Sequence, residues 1–257
     1  MRKIIFKAIK NPRKAHRVLF DMFVSPFDHQ EYKKFIILSR SRSGTNLLLS
    51  LLNSHPNIRV DDEIFQNTGK IDFRERLQHV FSKQPYYVKA RGFKIFYYHP
   101  LDEQNDALWD TLINMKDLHV IHLVRKNVLR AIVSQKIALS DGIWLSEKPY
   151  DHETRQKKKI VLDPESIDRE IKKTAMWKSR REANFKEHAV LNVFYEDLSE
   201  NHDEQFKIVC SFLNVEYKKP KTNLKKQNPE KLSDLIAGYE ELKCKSEAYE
   251  WKKYLDS

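Results

Sequence analysis

Two cysteines in 257 residues, Cys210 and Cys244, are too few and too far apart for a thiolate metal cluster. They suit a reducing compartment as well as one optional bridge, and are read as free thiols. No stretch approaches the roughly 20 consecutive apolar residues that would cross a bilayer. The first twenty residues carry seven Lys or Arg and no acid, but lack the continuous apolar centre of a secretory signal. RNP, zinc-finger and helix-turn-helix patterns are missing, so nothing points to nucleic acid as a partner. There is no internal repeat and no low-complexity tract. What the chain has in excess is positive charge, a formal net +11, which attracts anions.

The anion site is legible at residues 35–56, FIILSRSRSGTNLLLSLLNSHP. Phe35 to Leu38 is the apolar run of a buried parallel strand, and Leu47, Leu48, Leu51 and Leu52 recur at helical spacing. Ser39 to Asn46 must therefore be a tight strand-to-helix turn, aiming backbone N–H groups and the positive end of a helix dipole at one point. Gly44 permits close approach of an anion; Ser41, Ser43, Thr45 and Asn46 add polar groups; Arg40 and Arg42 bring forked donors suited to phosphate or sulfate oxygens. The nucleoside triphosphatase loop GxxxxGK[ST] is not present, because Ser39 replaces its first glycine and no lysine follows Gly44. ATP chemistry with a metal is thereby disfavoured.

A second segment, VIHLVRKNVLRAIVSQKIA at 120–138, reads as a central strand followed by a helix with an apolar face at Val128, Ala131, Ile132, Ile137 and Ala138. Arg125 falls at the strand's carboxyl end, the edge where open α/β sheets bind ligands, and Ser134 follows on the helix. The pair can bracket a phosphate that the first loop does not touch. Judged alone, Arg125 can equally cap a helix or pair with an acid.

The two motifs together resemble the sulfotransferases that use 3′-phosphoadenosine-5′-phosphosulfate (PAPS), and among them the bacterial-type carbohydrate sulfotransferases acting on trehalose, nodulation factors and lipopolysaccharide. RSGTNLL at 42–48 is similar to the family's 5′-phosphosulfate loop, with Asn46 where threonine or serine is usual; Arg125 and Ser134 are similar to its 3′-phosphate pair. The resemblance runs through most of residues 35–214. It implies an α/β fold with P-loop-like α/β/α layers and a mostly parallel central sheet, PAPS as cofactor, 3′-phosphoadenosine-5′-phosphate as product and no metal. It also implies transfer of a sulfuryl group to a hydroxyl of a carbohydrate, glycolipid or related acceptor. A kinase-like phosphotransferase and a non-catalytic nucleotide- or anion-binding module are the alternatives.

Glu63, in RVDDEIFQN, matches the family's glutamate followed by an aliphatic–aromatic pair, and the resemblance makes it the base for the acceptor hydroxyl, with Arg42 stabilising charge on the phosphate oxygens. A solvated acidic turn is the plainer alternative for Asp61, Asp62 and Glu63. His55 and His122 rank below Glu63, since a histidine within an apolar pattern is more often a satisfied packing residue. YYVKARGFKIFYY at 86–98 reads as a strand with a glycine-marked bend; its Lys94 faces cofactor or acceptor, or stands at an exposed strand position. Trp144 lines the acceptor pocket or packs in the core.

The domain reading is a basic extension at 1–34 and one sulfotransferase domain at 35–257, with its core at about 35–214 and a basic loop and helix at 215–257. Asp163 is expected to cap a helix that has Pro164 in its first position. The carboxylates of YEDL at 195–198 are expected to order a turn, and Pro229 to Cys244 to form one amphipathic helix. Lys225 and Lys226 cover the 3′-phosphate or are solvated. Residues 1–20 rest on an anionic membrane or pack on the domain as a solvated helix. A cytoplasmic, membrane-peripheral location fits both; oligomeric state and acceptor identity are left open.

Overall fold

Alternate side chains of a single strand divide the protein into layers. In the computed structural model, which describes residues 28–69, 72–102, 106–142, 159–224 and 228–256, strand β1 (Lys33–Ser39) is buried along most of its length. Phe35 and Ile37 enter one apolar cluster with Leu48, Leu52, Phe206 and Val209. Ile36 and Leu38 enter another, with Phe93, Leu108, Trp109 and Phe185. That is the two-faced burial expected of a strand covered by helices on both sides, each large apolar side chain contributing roughly 1.5–3 kcal/mol.

Four further strands, β2 (Ile58–Asp61), β3 (Ala90–Phe96), β4 (Leu118–Val124) and β5 (Val190–Phe194), pair in parallel with it or with each other. The order is β2-β3-β1-β4-β5. Parallel neighbours require crossovers. Helix α1 (Thr45–Ser54) connects β1 to β2, α2 (Phe73–Val80) precedes β3, and α3 (Asp106–Asn114) precedes β4. Helices α4 (Val128–Asp141) and α5 (Pro164–Asn184) separate β4 from β5, and α6 (Tyr195–Glu200) and α7 (His202–Phe212) follow it. The chain leaves β1 toward one flank and later crosses to the other at β4, so the carboxyl edge beside β1 is a topological switch point. Asp163 caps α5 by accepting from the Ser166 N–H at 2.7 Å, with Pro164 in the first position.

Two local expectations are corrected. Gly92 marks no bend: it lies within the continuous strand β3 opposite Phe35, where a Cβ would come within 2.2 Å of the Phe35 carbonyl oxygen and 2.7 Å of its ring. The segment from Pro229 to Cys244 is not one helix but two short ones, α8 (Leu232–Leu235) and α9 (Tyr239–Lys245). Between them Ile236 forms a bridge to Ile160, and Gly238 adopts a left-handed conformation at φ 66° as the cap of α9. Leu232, Leu235 and Ile236 pack with Leu129 and Val133 of α4 and with Trp251. Cys210 is buried in α7, Cys244 is exposed, and both are free. No helix among the described residues is long and apolar enough to cross a membrane.

Candidate active site

The turn between β1 and α1 is held open at both ends. Ser39 Oγ donates to the Leu123 carbonyl at 2.6 Å, fixing the end of β1 to β4. Arg42 and Gly44 both take left-handed backbone conformations, at φ 63° and 87°. Gly44 has a second reason to be glycine, because a Cβ there would lie 2.1 Å from the Tyr195 ring. Tyr195 opens α6 at the carboxyl end of β5, and its ring carries the Arg125 guanidinium at 4.7 Å from its centroid. Turn, β4 edge and β5 edge are thus packed together, and they open on a cavity of about 980 Å³, the upper range for a small-molecule site.

One end of the cavity offers donors. Arg125 Nη1 donates to the Arg42 carbonyl at 3.0 Å, while its buried Nε has no partner among the described residues. Burial lowers the Arg125 pKa to about 10, still fully charged at neutral pH. Arg42 Nε donates to Ser134 Oγ at 3.0 Å, and Asn228 Nδ2 donates to the same oxygen at 3.2 Å. A hydroxyl that accepts twice keeps its own proton for a third group. Arg130 fastens the Asn228 segment by donating to the Glu230 carbonyl at 2.6 Å. Two guanidinium groups, a hydroxyl proton and a side-chain amide facing one space fit phosphate oxygens.

The other end is built around a buried lysine. Lys94, 1 % exposed, points its ammonium at Asn46 Oδ1 (2.9 Å), Asp62 Oδ1 (2.6 Å) and Glu63 Oε1 (3.0 Å), using three donors on three acceptors. Full pairing is what makes a buried ammonium tolerable. Both carboxylates line the cavity; Asp62 is 60 % exposed and Glu63 25 %, so Glu63 is the more enclosed of the two. Its loop is tied down from two directions. The Arg76 guanidinium donates to the carbonyls of Ile64, Asn67 and Thr68, and Asp102 accepts from the Thr68 and Gly69 N–H groups.

The cavity wall brings together Ser41, Arg42, Gly44, Thr45, Asn46, Glu63, Lys94, Arg125 and Ser134. Ser43 is buried in the turn. Arg40 is turned elsewhere: its guanidinium donates to Thr174 Oγ1 of α5 at 3.1 Å and Gln135 Oε1 of α4 at 3.0 Å, and burial lowers its pKa. The amide oxygen of Asn46 is taken by Lys94. His55 is a packing residue bonded to the Glu216 carbonyl and the Asn57 N–H, and His122 is bonded to Tyr97 and Asn192 within the sheet. Glu196 and Asp197 of YEDL hold the β4–α4 turn through the Lys126 N–H and Lys126 Nζ. Trp144, Lys225, Lys226 and residues 1–20 lie outside the described residues.

Among the wall residues that the sequence motifs do not mark are Tyr98, His99, Tyr195 and Asn228. Tyr98 and His99 follow a strand at its carboxyl end, a usable signal. Tyr195 carries the same signal, directly after β5. Asn228 has none.

The fold is a P-loop-like α/β sheet whose carboxyl edge carries a polar strand-to-helix turn, with a carboxylate on the same cavity. The chain belongs to the Stf0 sulphotransferase family, whose model matches residues 98–241, more than half of its length. That span takes in Arg125 and Ser134, and the β1–α1 turn and Glu63 precede it. Nodulation protein H of Rhizobium tropici is 27 % identical over 176 residues, 64 % of this chain and 68 % of that protein. Of solved structures, a mouse sulfotransferase complexed with PAP gives a TM-score of 0.48 at 15 % identity, covering 91 % of this chain and 92 % of that one. A sulfotransferase from Alicyclobacillus acidocaldarius gives 0.45 at 18 % identity, covering 86 % and 93 %.

Proposed function

We propose that this sulfotransferase moves a sulfuryl group from PAPS to a hydroxyl of a carbohydrate or glycolipid acceptor, with Glu63 as the base. The observation that carries the reading is one cavity lined by a donor-rich group, Arg42, Arg125, Ser134 and Asn228, and by the Glu63 carboxylate. When bound, PAPS supplies the sulfuryl group, whose bond to phosphate breaks as the acceptor oxygen bonds to sulfur. Arg125 and Ser134 hold the 3′-phosphate, and the N–H groups of the β1–α1 turn, with Ser43 and Thr45, hold the 5′-phosphate. Arg42 offsets charge gathering on the phosphate oxygens. Glu63 takes the acceptor's proton, and Lys94 keeps that carboxylate turned toward the cavity. Phe96, Tyr98 and Leu101 give the acceptor end an apolar and aromatic wall of the kind on which sugar rings pack.

The test is a calorimetric titration with 3′-phosphoadenosine-5′-phosphate and, separately, ADP, without added magnesium, on the wild type and Arg125→Ala. Tight binding of the 3′-phosphorylated nucleotide alone, lost in the variant, is expected. Equal binding of both nucleotides would remove the cofactor assignment.

A further inference from the structure

The side chain next to Glu63 that the reaction scheme leaves unused is His99, 2 % exposed in the turn after β3. Its main-chain N–H donates to the Phe96 carbonyl at 3.0 Å, and its Nδ1 accepts from the Phe96 N–H at 3.3 Å. The Trp109 indole donates to its carbonyl at 2.8 Å. A neutral imidazole whose Nδ1 is an acceptor must carry its proton on Nε2. That Nε2 stands 3.7 Å from Glu63 Oε2, the oxygen Lys94 does not hold.

We infer that His99 is the positioning residue for Glu63, donating from Nε2 to Oε2 while Lys94 holds Oε1, so that the carboxylate plane is fixed toward the acceptor hydroxyl. This rests on the reading of Glu63 as the base. The separation is longer than a hydrogen bond, as catalytic contacts often are before substrate closes the site. The carboxylate has room for both donors and the incoming proton, since each oxygen offers two lone pairs. The groups facing Glu63 are Lys94 from β3, Asp62 beside it in the loop, and Tyr98 and His99 from the turn after β3. His99 brings no second positive charge beside Lys94, because burial, with Lys94 nearby, holds its pKa down at about 4. Nor is His99 the base: its Nε2, the nitrogen that faces Glu63, already bears the proton because Nδ1 accepts from the Phe96 N–H.

The experiment reads the imidazole directly. In protein labelled with 15N-histidine, His99 should show the Nε2–H tautomer at neutral pH and keep it at pH 5.5; an Nδ1–H tautomer or a protonated ring overturns the inference even if no variant folds. Glu63→Gln should shift the Nε2–H resonance of His99, and an unmoved resonance counts against the contact. For PAPS-dependent sulfation of a sugar acceptor that the wild type turns over, His99→Leu should lower kcat by about 10- to 100-fold, the usual cost of a misplaced reacting group, at unchanged affinity for 3′-phosphoadenosine-5′-phosphate. His99→Gln, which keeps an N–H donor, should recover most of that. If Glu63→Gln retains turnover, the base assignment fails, whatever His99 does. If Glu63→Gln is dead and His99→Leu is as fast as the wild type, the positioning inference fails alone.

Discussion

The two ends of the cavity solve opposite electrostatic problems. At the Arg125 end, donors converge with their valences unfilled: the Arg125 Nε lacks a partner among the described residues, and Ser134 accepts from two groups while keeping its proton. At the Glu63 end, Lys94 is saturated by three acceptors. On the proposed function the first arrangement serves to bind an anion, and the second to hold a carboxylate in place. Affinity and chemistry are therefore separable here, which single substitutions can test.

The sharpest break is Glu63→Gln. It should lower turnover by a hundredfold or more, about the worth of general base catalysis, while calorimetry shows 3′-phosphoadenosine-5′-phosphate still binding as in the wild type. Loss of binding along with rate would mean the two ends are not independent. Arg125→Ala makes the converse cut: loss of a charge-assisted contact worth about 2–3 kcal/mol should weaken that nucleotide roughly 30- to 150-fold and ADP much less. Similar losses for both would show that Arg125 does not read the 3′-phosphate.

Gly44→Ala strikes the junction between the ends. A left-handed backbone costs an alanine about 1–2 kcal/mol, and the new Cβ would overlap the Tyr195 ring besides. Thermal unfolding should fall by several degrees, and Gly44→Ala with Tyr195→Ala should regain the steric part only. A double variant no better than the single would mean that backbone strain is the whole cost.

The smallest effect concerns pH. The folded-state pKa of His99, about 4, lies below its ordinary value of 6.5, so the unfolded chain takes up a proton first as pH falls. Stability is unaffected by this group above pH 6.5, declines between 6.5 and 4, and levels off below. Between pH 7 and pH 5 the loss should be about 2 kcal/mol in denaturant titrations. His55 and His122, also lowered by burial, act in the same direction. In His99→Gln the pH slope should be shallower; an equal slope would assign the effect to the other histidines.

What the sequence shows of this site depends on distance along the chain. The β1 turn is legible because the apolar spacing changes from strand to helix within a few residues, and Arg125 with Ser134 because one strand and one helix carry both. Contacts made by long-range folding are not legible: Asn228 reaches Ser134 across 94 positions, and His99 meets Glu63 only because the two loops are tied by Asp102 and the Gln66 carbonyl. Arg40 and Arg42 look equivalent in SRSRSG, yet the left-handed backbone at Arg42 sends it toward Ser134, while Arg40 is drawn between α4 and α5. The C-terminal periodicity suits one helix, and only the pairing of Ile236 with Ile160 shows why it must break.

The saturation of Lys94 also predicts how the native protein responds to amine-selective chemistry. An ammonium with every hydrogen engaged and 1 % of its surface open has neither a free lone pair nor a path for a reagent, so acylation or reductive methylation should decorate surface lysines first. Peptide mapping would then find Lys94 unmodified for as long as the Glu63 loop stays closed over it, and its first appearance among labelled peptides would time the opening of that loop.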